Sequence, residues 1–122
     1  PRITDGRRFW FRVFYVFGKI IPCWWDDLTK IYDKLTEEQI ISFNLKPLRA
    51  IIRKISNICG LDFFSTEIAL DNAGNFTVID YVNDQCDMRR NKKYFDGLPE
   101  EVVSQIVKKI LGYLKGARRR KE

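Results

Sequence analysis

At 122 residues, with 45% hydrophobic and 14% aromatic content, the chain can bury one core and is not of disordered composition. Arg12 and Lys19 interrupt the most apolar segment, Phe9 to Trp25, so no run reaches the roughly 18 apolar residues of a membrane span. With no histidine and three widely spaced cysteines, neither a Ser/His/Asp arrangement, a disulfide framework nor a zinc site is indicated, and a reducing cytoplasm is the expected compartment.

The formal charge of +6 owes much to Arg118, Arg119, Arg120 and Lys121. Such a terminal run reads first as a solvated tail, over residues 118–122 of a single domain spanning 1–117; contact with nucleic acid or an acidic ligand is the other use of it. The chain opens at Pro1, without a methionine, and enters an apolar strand within a few residues. It is therefore expected to be a piece of something longer.

In chain order, Phe9 to Phe17 is almost wholly aromatic or β-branched, the composition of a strand buried on both faces. Phe17-Gly18 turns it into a second strand, Lys19 to Trp25. Arg12 is the one charge inside the first strand, and it must either meet an acid in a structural ion pair or bind an anion in a wet cleft. Trp24-Trp25-Asp26-Asp27 either lines a substrate entrance or closes the sheet with one buried and one surface-packed indole.

Thr36 and Gln39 have capping-box spacing and predict a short helical turn in an otherwise irregular connection. Pro47 then opens a helix whose Leu48, Ile51, Ile52, Ile55 and Ile58 form a core stripe, with Gly60 placed to stop it. Two further strands are expected, about Leu61 to Leu70 and Phe76 to Asn83, with turn chemistry in Asp71-Asn72-Ala73-Gly74-Asn75 between them. Pro99-Glu100-Glu101 opens the last helix, with Val103, Ile106, Val107, Ile110 and Leu114 as its apolar face. The sum is an α+β fold, an antiparallel β-sheet packed with two main helices.

If the loop of the second hairpin is Asn72 to Asn75, Glu67 stands directly opposite Asp80. Two like charges at that distance destabilise a hairpin unless one is protonated, a nearby Arg or Lys offsets them, or a divalent cation binds both. Asn83 and Asp84 follow, so an all-oxygen set suited to magnesium could gather at one sheet edge. A register one residue different turns the acids to water instead.

The stretch "GLDFFSTEIALDNAGNFTVIDYVNDQCD", behind an apolar helix, resembles the C-terminal core of ATP-grasp enzymes, the carboxylate–amine ligase-like superfamily, and "FRVFYVFGKIIPCWW" looks like the hairpin that precedes it there. The resemblance covers most of the chain and implies the C-terminal subdomain of that fold. It implies that Glu67, Asp80 and Asn83 hold Mg2+, and that Arg12 holds the phosphate or acyl phosphate and assists its transfer. Lys19 is a further basic candidate for the nucleotide, and Arg89, Arg90 and Lys92 are either substrate contacts or a solvated loop. The family motif has one residue between acid and Asn, whereas "DYVN" has two, so either a β-bulge realigns the two side chains or Tyr81 takes the acid's position and Asp80 is not a ligand, with Asp84 as its substitute.

The implied activity is ligation: Mg2+ and ATP activate a carboxylate as an acyl phosphate, which an amine then attacks. No glycine-rich phosphate loop is present, so the resemblance implies the rear half of an active site, with an N-terminal half expected outside this chain. Expected partners are ATP and a carboxylate substrate, with no membrane, no recognised nucleic-acid motif, and self-association through exposed strand edges. The competing reading is a degenerate, non-catalytic interaction module whose basic surface binds an acidic partner.

Overall fold

The computed structural model describes residues 3–4, 7–26, 28–79 and 97–121. Two short strands, β1 (Ile3–Thr4) and β2 (Arg7–Arg8), pair with each other. They lead into a five-stranded antiparallel sheet of β3 (Trp10–Val16), β4 (Lys19–Asp26), β5 (Ile31–Lys34), β6 (Phe63–Leu70) and β7 (Phe76–Val78), in the spatial order β5-β4-β3-β6-β7. The helices are α1 (Glu37–Ser42), α2 (Pro47–Cys59) and α3 (Glu100–Lys121). The expected α+β class with an antiparallel sheet is therefore the observed one.

Strand β3 is central because nearly every residue in it has an apolar or aromatic neighbour to meet on either face. Phe11 and Val13, with Phe9 just before the strand, point into a core with Trp24, Phe64, Ile68, Leu48 and Ile52, beneath α1 and α2. Phe14 and Val16 point the other way, into a second core with Ile21, Cys23, Leu98, Val102 and Ile106, beneath α3. The period of two along the strand thus supplies both helical layers.

The β3–β4 turn has two central residues, Phe17 (φ 45°) and Gly18 (φ 94°), both left-handed, the geometry that matches strand twist in a tight hairpin. Glycine tolerates it freely; Phe17 is held there by its backbone N–H to the Asp62 carbonyl at 2.7 Å and by stacking on Tyr113 at 4.0 Å between ring centroids. At its other end α3 is tied to β5 by Lys34 Nζ and Glu101 at 2.6 Å. Helix α3 therefore lies along the sheet from the Cys23–Lys34 row to the hairpin turn.

Thr36 caps α1 with the full reciprocal box to Gln39, and Gly60 (φ 69°) ends α2 in the left-handed conformation, as their sequence positions indicate. Other expectations need correcting. The stretch expected to be irregular contains β5. Ile58, expected in the core stripe, is 78% exposed, and its neighbours Asn57 and Cys59 in the last turn of α2 are exposed with it. On α3 the buried residues are Val102 and Ile106, while Val107 and Leu114 are exposed, so the covered face is rotated from the expected one. The basic run Arg118 to Lys121, expected as a tail, belongs to α3.

The second hairpin has a five-residue loop, not four. Asp71 organises it: its carboxylate accepts from the backbone N–H of Ala73 and Asn75 at 2.9 and 2.8 Å, and its own N–H donates to the Asn75 carbonyl. Leu70 consequently faces Phe76, and Ile68 faces Val78. Among the described residues no helix is long and apolar enough to cross a membrane.

Candidate functional site

The shift of one residue in the β6–β7 register decides the surroundings of Glu67. Its backbone carbonyl accepts from the Ile79 N–H at 2.8 Å, so its neighbour on β7 is Ile79 and the expected Glu67–Asp80 pairing is not formed. Asp80, Asn83 and Asp84, with Arg89, Arg90 and Lys92, lie outside the described residues.

On the other side, β3 sets Arg12 directly opposite Glu67. Arg12 shares a row with Cys23 on β4, and Trp10, two residues along β3, shares one with Ala69 on β6. Alternation along the strands puts Trp10, Arg12, Trp25 and Glu67 on the α3-bearing face of the sheet. None of the four belongs to the apolar cluster that α3 covers. A polar quartet thus occupies one end of that sheet face.

The contacts within it are specific. The indole N–H groups of Trp10 and Trp25 both donate to Oε1 of Glu67, at 2.8 and 2.5 Å. Oε2 faces a terminal guanidinium nitrogen of Arg12 at 3.6 Å, an ion pair longer than a good hydrogen bond, with the two side chains only 13% and 11% exposed. The Arg12 guanidinium also lies over the Trp25 ring, 4.9 Å from its centroid, and Arg8 lies over Trp10 at the same distance. Lys30 approaches Trp25 at 5.8 Å.

Lys30 is brought there by the β4–β5 turn. The Asp26 carboxylate accepts from the backbone N–H of Thr29 and Leu28 at 3.2 and 2.9 Å, and those bonds hold its pKa below the usual carboxylate value. The Lys30 N–H closes on the Asp26 carbonyl at 2.7 Å with Lys30 itself left-handed, φ 62°.

Of the two roles open to Arg12, the ion pair is formed, and it leaves something over. Nε of Arg12 is buried with no hydrogen-bond partner among the described residues. A buried, unsatisfied charged donor is costly, and an anion seated beside it would relieve that cost. Oε2 of Glu67 faces the Arg12 cation and is engaged in the ion pair. The Arg12 feature fits a bound anion; towards a metal site the described residues supply one carboxylate, Glu67, with Oε1 filled by the indoles and Oε2 paired with Arg12. Glu67 is the sole carboxylate in the quartet, and among the described residues no three acids, cysteines or histidines come together.

Lys19 is not brought to this place. It is exposed beside the hairpin turn, four residues before the β4 partner of Arg12, about 13 Å along the strand. Cys23 is buried, as expected of a small core residue, but Cys59 is exposed on the last turn of α2; Cys86 lies outside the described residues. Trp24 and Trp25 are both buried and on opposite faces, so neither of the two roles considered for the pair is met as stated. The indole bonds to Glu67 escaped the sequence reading because Trp10 and Trp25 lie 57 and 42 residues away from it, and the signal available was the even spacing of Trp10 and Arg12.

A concavity of about 320 Å³ lies at the α1–α2 junction, lined by Ile40, Ile41, Asn44, Lys46 and Pro47, and it includes none of the quartet. Comparison of the chain with protein-family models, with curated proteins and with solved structures gives no match.

Proposed function

We propose that the chain is the C-terminal, metal-binding portion of an ATP-grasp-type ligase, working with an N-terminal half in a reducing cytoplasm. The observation that supports this reading is the Arg12–Glu67 pair, an acid held beside an arginine whose buried Nε has no hydrogen-bond partner among the described residues. Glu67 would hold magnesium, with Asn83 and either Asp80 or Asp84 completing an all-oxygen set. Magnesium, when bound, supplies charge neutralisation on the phosphates of ATP.

The reaction is phosphoryl transfer followed by acyl transfer. An oxygen of the substrate carboxylate forms a bond to the γ-phosphorus as the bond to the β-phosphate oxygen breaks, releasing ADP and leaving an acyl phosphate. An amine then attacks the acyl carbon, inorganic phosphate departs, and an amide remains. Arg12 would hold the transferring phosphate through Nε and stay oriented by Glu67 and the Trp25 ring. Lys19 stands too far along β4 to share that task.

The test is calorimetric titration of Mg2+ with a non-hydrolysable ATP analogue into the parent chain and a Glu67→Gln variant. Binding by the parent and at least tenfold weaker binding by the variant is the expected result. A second reading is favoured by one observation, that Oε1 of Glu67 is already filled by two indoles, as in a purely structural ion pair. The chain is then a non-catalytic module whose basic surface binds an acidic partner. Salt-sensitive binding of a polyglutamate peptide by both proteins, unchanged by Mg2+, selects it.

A further inference from the structure

Helix α3 exposes Val107, Leu111, Tyr113 and Leu114 by 44, 50, 45 and 55%. The ring of Tyr113 is accounted for by its stacking on Phe17. The other three belong to neither core. At about 100° per residue they fall within an arc of about 60°, a second apolar stripe beside the one that Val102, Val103, Ile106 and Ile110 press on the sheet.

The charge on this helix is of one sign. From Val102 to Lys121 it holds Lys108, Lys109, Lys115 and the run Arg118 to Lys121, and no acid. Lys108 and Lys115 are exposed and border the stripe on the side away from the sheet. By position, Arg118 continues the line of Val107, Leu111 and Leu114. The helix runs on for about 12 Å after the ring that stacks on the hairpin turn, so its basic end has the least of the sheet beside it.

These features select among occupants. A second copy would set base against base. A nucleic acid would meet the bases and leave the leucines in water. Protein interfaces bury about 800 Å² on each partner, favour aromatic residues and are poor in lysine, whereas this stripe is narrow, aliphatic and edged by lysine. A bilayer surface with anionic headgroups matches all of it: aliphatic side chains enter the boundary of the acyl region while lysine stems carry their ammonium groups back to the phosphates. Lying on a membrane needs only such a flank, not the long apolar helix that crossing one would need.

We propose that α3 is a docking helix for an anionic phospholipid surface, with Val107, Leu111 and Leu114 as its buried edge and the basic residues as its electrostatic contact. The sequence reading expected no membrane contact, and α3 departs from it. Neither reading of the Arg12–Glu67 pair enters into this assignment.

The experiment co-sediments the full chain with vesicles of phosphatidylcholine alone and of phosphatidylcholine with about 30% phosphatidylserine. It uses the parent, a Leu111→Gln/Leu114→Gln variant, which keeps every charge, and a Lys108→Gln/Lys115→Gln variant. All four positions are exposed, so both variants should match the parent in circular dichroism.

The parent should bind the anionic vesicles at least about tenfold more tightly than the neutral ones and release them in about 0.5 M salt. The leucine variant should bind the anionic vesicles about tenfold more weakly, and the lysine variant should weaken by a similar factor. No binding to anionic vesicles overturns the proposal. So does a leucine variant that binds as the parent does, which would reduce the contact to adsorption of charge. If vesicles are ignored while polyglutamate is bound, or while the parent forms a dimer that the leucine variant does not, the occupant is an acidic protein or a second copy and the proposal fails. Should the leucine variant not fold, Val107→Gln on the same stripe decides in its place.

Discussion

Glu67 is a charge placed where a β-strand would ordinarily carry an apolar residue, and its stability depends on three neighbours at once. Replacing it with alanine strands two indole N–H groups and the Arg12 guanidinium in a largely buried setting. Removal of one partner from such a pair costs about 3 kcal/mol. Denaturant unfolding of Glu67→Ala should show that loss, and Glu67→Gln a smaller one, since the amide oxygen still accepts. Cys23 makes a prediction in pH. Burial, with a smaller contribution from the charge of Asp33, pushes its thiol up from 9.0 to about 12. The unfolded chain's thiol ionises first, so the stability owed to this group is whole below about 9 and is lost as pH rises toward 12. Unfolding free energies between those limits should fall less steeply in Cys23→Ala than in the parent.

At the scale of elements, the signals that held are those written in local chemistry. The capping box at Thr36 and Gln39 works within one helical turn, and Thr36→Ala should cost about 1 kcal/mol in thermal or denaturant unfolding. Gly60 ends α2 because its φ of 69° suits a residue without Cβ. The apolar stripes were legible as helices but not as to which residues would be covered. Ile52 is fully buried and Ile58 is 78% exposed, though both sit on the same periodic pattern. Ile52→Ala should therefore cost about 3 kcal/mol and Ile58→Ala less than about 0.5, as compared by the same denaturation measurement.

For the molecule as a whole, two helical layers press on one sheet, and β3 is its axis, hydrogen-bonded to β4 on one side and β6 on the other. Amide exchange should be slowest in β3, with β5 and β7, each bonded along one edge only among the described residues, opening sooner. Comparable exchange in β3 and β7 would contradict that order. The polar quartet exists because the α3-side core stops short of one end of the sheet, leaving Trp10, Arg12, Trp25 and Glu67 to satisfy one another.

The sequence by itself determined what depends on short-range pattern and composition: the strand–turn–strand of Phe9 to Trp25, the caps of α1 and α2, the α+β class, and Arg12 and Glu67 as charges needing a partner. For Arg12 it left two partners open on equal terms, an acid of the protein or a bound anion, and did not say which acid. Only the tertiary structure decided that the acid is Glu67, through a β3–β6 pairing across 55 residues of chain that no local signal encodes. It also decided the β6–β7 register, because the side chain of Asp71 bonds inside the loop and lengthens it to five residues, which places Ile79 rather than Asp80 beside Glu67. Side chains in a sheet alternate with a period of two, so a single loop residue reassigns every neighbour along the pair, and that choice is made by packing and hydrogen bonding in three dimensions.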